Sequence, residues 1–478
     1  MWYALFGFLA GILFSIGISI LHQRVLRMQE QWISSMLLRV VGTKDATSLE
    51  VKQRLFPYHS APDAMRALNK WFQRCNLNPV TVGLPITDTF MHETTISSLI
   101  VPRREEQYQP SPVECQSFDV GNDQTVDCPK HVVWFIDAAD SKCILFWTSA
   151  TERASSGFVS KLRIEVGYHS GTSAKEMADD ILVSIEAAIQ EGSTYRGKTI
   201  SLEEQDPYGG EASGIKVHAI RHVVRNEVVL PDFTVNLLER NIIRFVEQRQ
   251  HLTRLGMPVR KGVLFYGPPG TGKTHTIHYL IDALKDQTSL IVTAEQLGML
   301  SEYMMLARLL QPTVVIVEDV DLIATSREDS SVCQQSLLNR LLNEMDGLSE
   351  DAAILFVLTT NRPEALEQAL AARPGRVDQA IEFPLPDAMG RERLLRLYAG
   401  KVKIADEVIR ETVSRTSGVS GAFIRELVRR ALQFHLECQP DLQEPQLLWN
   451  DFDQAIDELL SSAGTLNRKL LGAEENGL

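Results

Sequence analysis

Basic clusters are missing from this chain. Acidic residues outnumber basic ones, 61 Asp and Glu against 48 Lys and Arg for a formal charge of -13, and no stretch is dense in lysine or arginine. Duplex DNA or RNA needs a basic face to neutralise its phosphates, so the composition argues against nucleic acid as a main partner, and none is expected. Paired cysteines are missing as well. Six cysteines stand apart at 75, 115, 128, 143, 333 and 438, with no C-x-x-C among them. They read as free buried thiols in a reducing compartment, with a Cys115–Cys128 disulfide as the alternative. The zinc-protease signature H-E-x-x-H has one near match, His92-Glu-Thr-Thr-Ile96, which lacks the second histidine. No internal repeat or low-complexity tract is present.

Charge is wholly absent from Trp2 to Leu21. Twenty apolar residues in a helix reach about 30 Å, the thickness of a bilayer core, so residues 2–21 are expected to cross a lipid bilayer. A cleaved signal peptide would carry a basic start and a shorter apolar run. Arg24, Arg27 and Arg39 follow the segment and nothing basic precedes it. The positive-inside rule then places the N-terminus outside and the bulk of the chain inside. A bacterial cytoplasmic membrane is favoured, with the mitochondrial inner membrane as the alternative. Gly7, Gly11 and Ser15 share one helical face and suggest a packing seam.

The 478 residues allow two or three domains. A transmembrane helix at 1–22 is followed by a mixed apolar and basic juxtamembrane helix at 23–44. Residues 45–215 read as an α+β middle domain. Its expected strands, rich in β-branched and aromatic residues, are 96–101, 131–136, 143–148 and 162–166, and a helix from Ser173 to Glu191 opens on a serine cap. Residues 203–210 look like a linker. From 216 onward strands alternate with helices, as in a parallel sheet covered on both faces.

Within that region Gly267-Pro268-Pro269-Gly270-Thr271-Gly272-Lys273-Thr274 fits the phosphate-loop pattern G-x-x-x-x-G-K-[ST]. Glycines let backbone N–H groups approach phosphates closely. Lys273 is placed to reach the outer phosphates, and the Thr274 hydroxyl to hold Mg²⁺. The loop follows the apolar run 263–266 and opens a helix over 274–284, whose N-terminus favours an anion. Downstream, the apolar strand 314–317 ends in Glu318-Asp319-Val320-Asp321, acidic groups suited to ordering a metal and polarising water. A second buried strand, 355–360, ends in Asn361, placed to touch the outermost phosphate or the attacking water. Arg373 and Arg376 flank the turn in Ala372-Arg-Pro-Gly-Arg-Val-Asp378. Arginine suits phosphate recognition because it stays charged and binds bidentately.

In this order and spacing the motifs resemble the AAA family of ring-forming ATPases over about 216–435, including Thr416–Ala422. The resemblance implies an α/β P-loop nucleotide domain at 216–386 and a helical lid with a C-terminal tail at 387–478. It implies ATP and Mg²⁺ as cofactors, the metal at Thr274 and Glu318, and Asp319 as the base. Asn361 becomes a sensor, Arg373 and Arg376 become fingers reaching a neighbouring subunit, and His275, Gly421 and Ala422 join the nucleotide-binding residues. A homo-oligomeric ring of six or seven subunits acting on a protein client is expected. Two departures stand out. Most members have Asp then Glu where this chain has Glu318-Asp319, which makes the base one methylene shorter. The aromatic pore loop of threading members is also missing, since Tyr303-Met-Met305 reads as helix core. Both features, with one N-terminal anchor and a β-rich middle domain, are similar to the membrane-anchored group that includes the mitochondrial translocase of the Rieske iron–sulfur protein in complex III assembly. The expected function is ATP-driven remodelling or translocation of a protein client. An ATP-binding membrane scaffold or switch with little turnover is the alternative.

Overall fold

The computed structural model describes residues 33–34, 36–43, 45–85, 94–101, 109–138, 141–154, 157–170, 173–203, 214–323, 333–364, 376–438 and 445–459. The apolar segment 2–21, residues 23–32 and the near-match at His92 lie outside these. Among the described residues no helix is long and apolar enough to cross a membrane. The chain divides into two compact units, one reaching to Thr194 plus Glu203–Lys216, the other Tyr195–Leu202 plus Val217 onward.

Seven strands build the first unit: β1 (Leu49–Pro57), β2 (Val80–Gly83), β3 (Cys115–Gly121), β4 (Gln124–Pro129), β5 (Val132–Ala138), β6 (Ser141–Ala154) and β7 (Gly157–His169). Five of them form an antiparallel sheet in the order β1-β7-β6-β5-β2, and β3 and β4 pair as a separate hairpin. The helix Ala174–Glu191 buries Ala178, Ile181, Leu182, Ile185 and Ile189, a stripe at the three-to-four spacing of one helical face. Ile33, Leu37 and Val41 repeat that spacing and join a core with Val133, Phe135, Ile144 and Phe146. Five described cysteines are free; Cys128 and Cys143 are buried, while Cys75, Cys115 and Cys438 are exposed.

Three sequence expectations are corrected in this region. Residues 96–101 were expected as a strand, yet Ile96–Ile100 is a helix. Thr95 and Ser98 form a reciprocal capping box, and the Ile96 N–H donates to the buried Glu165 carboxylate at 2.7 Å. Those contacts satisfy the helix start and outweigh the β preference of the two isoleucines. Ser173 precedes its helix but makes no side-chain cap bond; its hydroxyl pairs with that of Ser141 at 2.6 Å. One segment ahead of the expected boundary at 215 also lies in the other unit. Thr199–Leu202 (β8) is buried throughout and pairs in parallel with the second unit's sheet, so it belongs there.

That sheet adds β9 (Ile215–Val217), β10 (Lys261–Tyr266), β11 (Thr288–Val292), β12 (Thr313–Val317), β13 (Ile354–Thr360) and β14 (Gln379–Glu382). Its order is β14-β10-β13-β12-β11-β8-β9, and every neighbouring pair from β14 to β8 runs parallel. β12 and β13 are buried at every position, which requires cover on both faces because side chains alternate across a sheet. On one face Ile277 and Leu280 meet Val263, Phe265, Val314 and Val357. Tyr303 is fully buried in the helix Leu300–Leu309; its hydroxyl accepts from the Leu202 N–H and donates to Gln296, at 2.8 and 3.0 Å. It is a core residue, as the sequence suggested.

The lid begins where Asp387 caps the helix Ala388–Ala399, accepting the Gly390 N–H at 2.7 Å. Helices Asp406–Arg415, Gly421–Cys438 and Trp449–Asp457 follow. Leu395, Phe423, Leu427 and Phe452 close a core of the lid's own, and β15 (Lys403–Ile404) pairs with β16 (Gln446–Leu447).

Candidate active site

β10 ends at Tyr266, and the chain turns through Gly267–Gly272 into the helix Lys273–Ala283. Gly267 has φ +146, and a Cβ there would run into the Phe383 carbonyl. Gly270 has φ +75, and its missing Cβ would lie 2.8 Å from both Ala422 Cβ and Ser420 Oγ. Only glycine fits at either point. The same closeness lets the Ala422 N–H donate to the Gly270 carbonyl at 3.1 Å, so loop and lid are joined by backbone. Thr271 Oγ1 donates to the Pro268 carbonyl at 2.9 Å.

Lys273 is only 7% exposed, and its amine donates to the Gly267 and Pro268 carbonyls at 2.8 and 2.9 Å. Burial pushes its pKa down to about 8, against an upward pull from Asp319 and Asp321. A phosphate needs the charged amine, which is present below about pH 8 and lost above it. ATP affinity is therefore expected to be flat from pH 6.5 to 7.5 and to fall about tenfold per unit above the pKa. Titration of ATP binding at pH 7, 8 and 9 checks this, and a flat profile would contradict it.

Glu318 and Asp319 leave the tip of β12 in different directions. Glu318 accepts a hydrogen bond from the Thr274 hydroxyl, and burial raises its pKa against that bond. Asp319 sits at φ +50, in the left-handed region that aspartate tolerates better than most residues. Its N–H donates to Thr359 Oγ1 at 2.9 Å, and its Oδ1 accepts from Asn361 Nδ2 at 3.1 Å. A hydroxyl and a carboxylate in contact form an all-oxygen donor pair, which fits Mg²⁺ completed by phosphate and water oxygens. Among the described residues no group of three His, Cys, Asp or Glu could hold a metal by itself.

Asp321 received no role in the sequence reading. It is 4% exposed, and its Oδ1 accepts from Thr360 Oγ1 at 2.9 Å and from the Asn361 N–H at 3.0 Å. It therefore fixes the tip of β13, which in turn holds Asn361 on Asp319. The i+3 spacing from Glu318 was the available signal.

Pro269, Gly270, Gly272, Lys273, Thr274, His275, Asp319, Asn361 and Ala422 line one cleft. An adjoining cleft, sharing Gly270, Gly272 and His275, has apolar walls from Val228, Val229, Leu230, Met389 and Leu394 and is bordered by Gly421. These walls suit a flat base. Sequence reasoning missed them because segments 228–230, 389 and 394 carry no motif and converge only through the fold.

Arg373 lies outside the described residues. Arg376 does not project to solvent as a finger: it is 8% exposed, its guanidinium ion-pairs with Asp346, and its Nη1 is buried without a partner. The Asp378 N–H donates to the Gly262 carbonyl and its carboxylate accepts the Gly262 N–H, both at 2.8 Å, holding the end of the same turn on β10. Within one subunit Arg376 anchors the turn.

Residues 263–385 match the family described as ATPase family associated with various cellular activities (AAA). The chain is 31% identical over 238 residues to the 26S proteasome regulatory subunit 6A of Encephalitozoon cuniculi, covering 47% of this chain and 58% of that protein. It is 35% identical over 227 residues to the proteasome-activating nucleotidase of Methanoculleus marisnigri, covering 44% and 53%. Against the ATP-dependent zinc metalloprotease FtsH of Acaryochloris marina it is 30% identical over 249 residues, covering 49% and 37%. The chain thus spans about half the length of the curated relatives it matches. The phosphate loop, the acidic strand tip and Asn361 all fall inside the matched residues, and the chain carries an AAA ATPase domain with homologues among the proteasome-activating and FtsH proteins.

Proposed function

We propose that this protein is a membrane-anchored AAA ATPase whose ring couples ATP hydrolysis to remodelling or translocation of a protein client. The observation that carries the reading is the convergence of Lys273, Thr274, Glu318, Asp319 and Asn361 at the tips of β10, β12 and β13. In this reading Lys273 holds the phosphates, and Asn361 and Asp319 together position the attacking water. Asp319 takes the water's proton as the bond to the outermost phosphorus forms and the bond to the leaving oxygen breaks. Thr274 and Glu318 would hold Mg²⁺, which would supply charge neutralisation for the phosphates. Arg373 serves the neighbouring subunit, and residues 2–21 anchor the ring in a bilayer with the ATPase domain inside. The buried Tyr303 and the β-rich first unit favour a client moved folded, as in the group of the Rieske-protein translocase, over a threaded one.

Steady-state ATP hydrolysis by the detergent-purified full chain, measured across its oligomerisation range, tests the reading. Turnover should rise as rings assemble, and the protein should stay with membranes through an alkaline carbonate wash. Tight ATP binding without turnover, with or without candidate clients, would favour the scaffold. Full activity in a monomer would overturn the intersubunit finger.

A further inference from the structure

In the first unit the helix Ala61–Arg74 carries Arg66, Lys70 and Arg74 at four-residue intervals, one cation per turn and about 6 Å apart along the axis. It packs antiparallel to the helix Ala174–Glu191. Trp71 Nε1 donates to the Asp180 carboxylate near the start of that second helix at 2.7 Å, and Arg66 Nη1 to the Thr194 hydroxyl just past its end at 3.0 Å. Between the two helices lies a trough of about 350 Å³. The basic row forms one wall and Ser184, Ala187 and Ala188 the other, over a floor of buried Ala67 and Trp71.

The charges along the trough are unequally satisfied. Arg74 pairs with Asp180 at 2.6 Å. Asp63 is buried and accepts from the Ser193 hydroxyl and from both the N–H and the hydroxyl of Thr194. Lys70 is exposed and has no hydrogen bond or carboxylate partner among the described residues, and Arg66 has only the neutral Thr194 hydroxyl. One carboxylate, Glu191, lines the trough without a partner among the described residues.

On a chain of formal charge -13, two uncompensated cations one turn apart favour a partner that carries negative charge. The small side chains of the far wall leave room for a third helix to approach closely. Acidic residues four apart on such a helix repeat the spacing of the basic row. A single phosphate could meet Arg66 or Lys70 and would leave most of the trough empty. We propose that this trough docks an acidic amphipathic helix of a protein partner, with its carboxylates on Arg66 and Lys70 and its small or apolar side chains over Ala187, Ala188 and Trp71. The surface lies wholly within the first unit and uses none of the nucleotide-site residues, so it stands or falls apart from the ATPase reading.

The test is fluorescence anisotropy of a labelled, stapled helical alanine peptide with glutamate at every fourth position, added to the detergent-purified full chain. The same peptide with glutamine in place of glutamate is the control. The glutamate peptide should bind at least about tenfold more tightly than the control, and its affinity should fall as salt rises. Replacing both free cations, Arg66→Gln with Lys70→Gln, should weaken it about tenfold, with a thermal melt matching the parent's because glutamine keeps a donor for Thr194. Glu191→Gln gives an independent reading: it removes the one free carboxylate and should tighten binding about threefold. Equal binding of both peptides, equal binding to the parent and the double variant, no tightening in Glu191→Gln, or no binding at all overturns the proposal. Displacement of the peptide by inorganic phosphate, beyond that caused by potassium chloride at equal ionic strength, also overturns it and makes the trough a phosphate site.

Discussion

Lys273→Ala is expected to weaken ATP binding by about a hundredfold or more, with hydrolysis lost. In the structure Lys273 is 7% exposed, and its amine is held at 2.8 and 2.9 Å by the carbonyls of Gly267 and Pro268. It is thereby preorganised at the mouth of the loop, with little side-chain freedom left to lose when phosphate arrives. Two of the three N–H groups are on those carbonyls, and a charge-assisted contact from the third to phosphate is worth up to ~3 kcal/mol, about two orders of magnitude in affinity. The substitution also leaves the two carbonyls without their donor, so some loss of stability should accompany it. Binding of a fluorescent ATP analogue, read beside a thermal melt without nucleotide, separates the effects. Unchanged binding in a folded Lys273→Ala protein would sink the site.

Asp319→Asn should lower turnover by about 10²- to 10⁴-fold while ATP affinity stays within a few-fold. Asparagine tolerates the φ of +50 as well as aspartate does, and its amide oxygen can still accept from Asn361. The change therefore removes the proton acceptor with little other disturbance. Glu318→Gln should behave differently. Its carboxylate meets Thr274, so the expected result is a weaker affinity for Mg²⁺, visible as a raised metal concentration for half-maximal activity. If both variants lost only metal affinity, or only turnover, the division of labour between the two acids would be wrong. That division bears on the reversed Glu318-Asp319 order. In the proposed mechanism the shorter side chain is the base, and a hydrogen bond from Asn361 together with a left-handed backbone sets where its carboxylate lies.

The buried strands were legible because their central runs, 314–317 and 355–358, are apolar at every position. A run such as 313–317 or 354–360 must lie between two covered faces, whatever surrounds it. Thr199–Leu202 is also buried at every position, but it is only four residues long and carries Thr199 and Ser201, too little signal to assign it to a sheet without its partner β11. Ile96–Ile100 misled for the opposite reason. Its composition favours a strand, and the contact that decides for helix comes from Glu165, sixty-nine positions away.

By itself the sequence determined the chemistry of the loop, since G-x-x-x-x-G-K-[ST] dictates local backbone conformations and one cation, and these depend on neighbours in the chain. It also determined the strand tips that carry Glu318, Asp319 and Asn361. Only the tertiary structure decided which acid meets Thr274 and which meets Asn361, that Asp321 braces Asn361, and that Arg376 is buried against Asp346. Those roles depend on side-chain direction and on segments far apart in the chain, as Asp321 and Asn361 are. A pattern of residue types encodes periodicity along the chain. It does not encode which way a carboxylate or a guanidinium points once the chain has closed on itself.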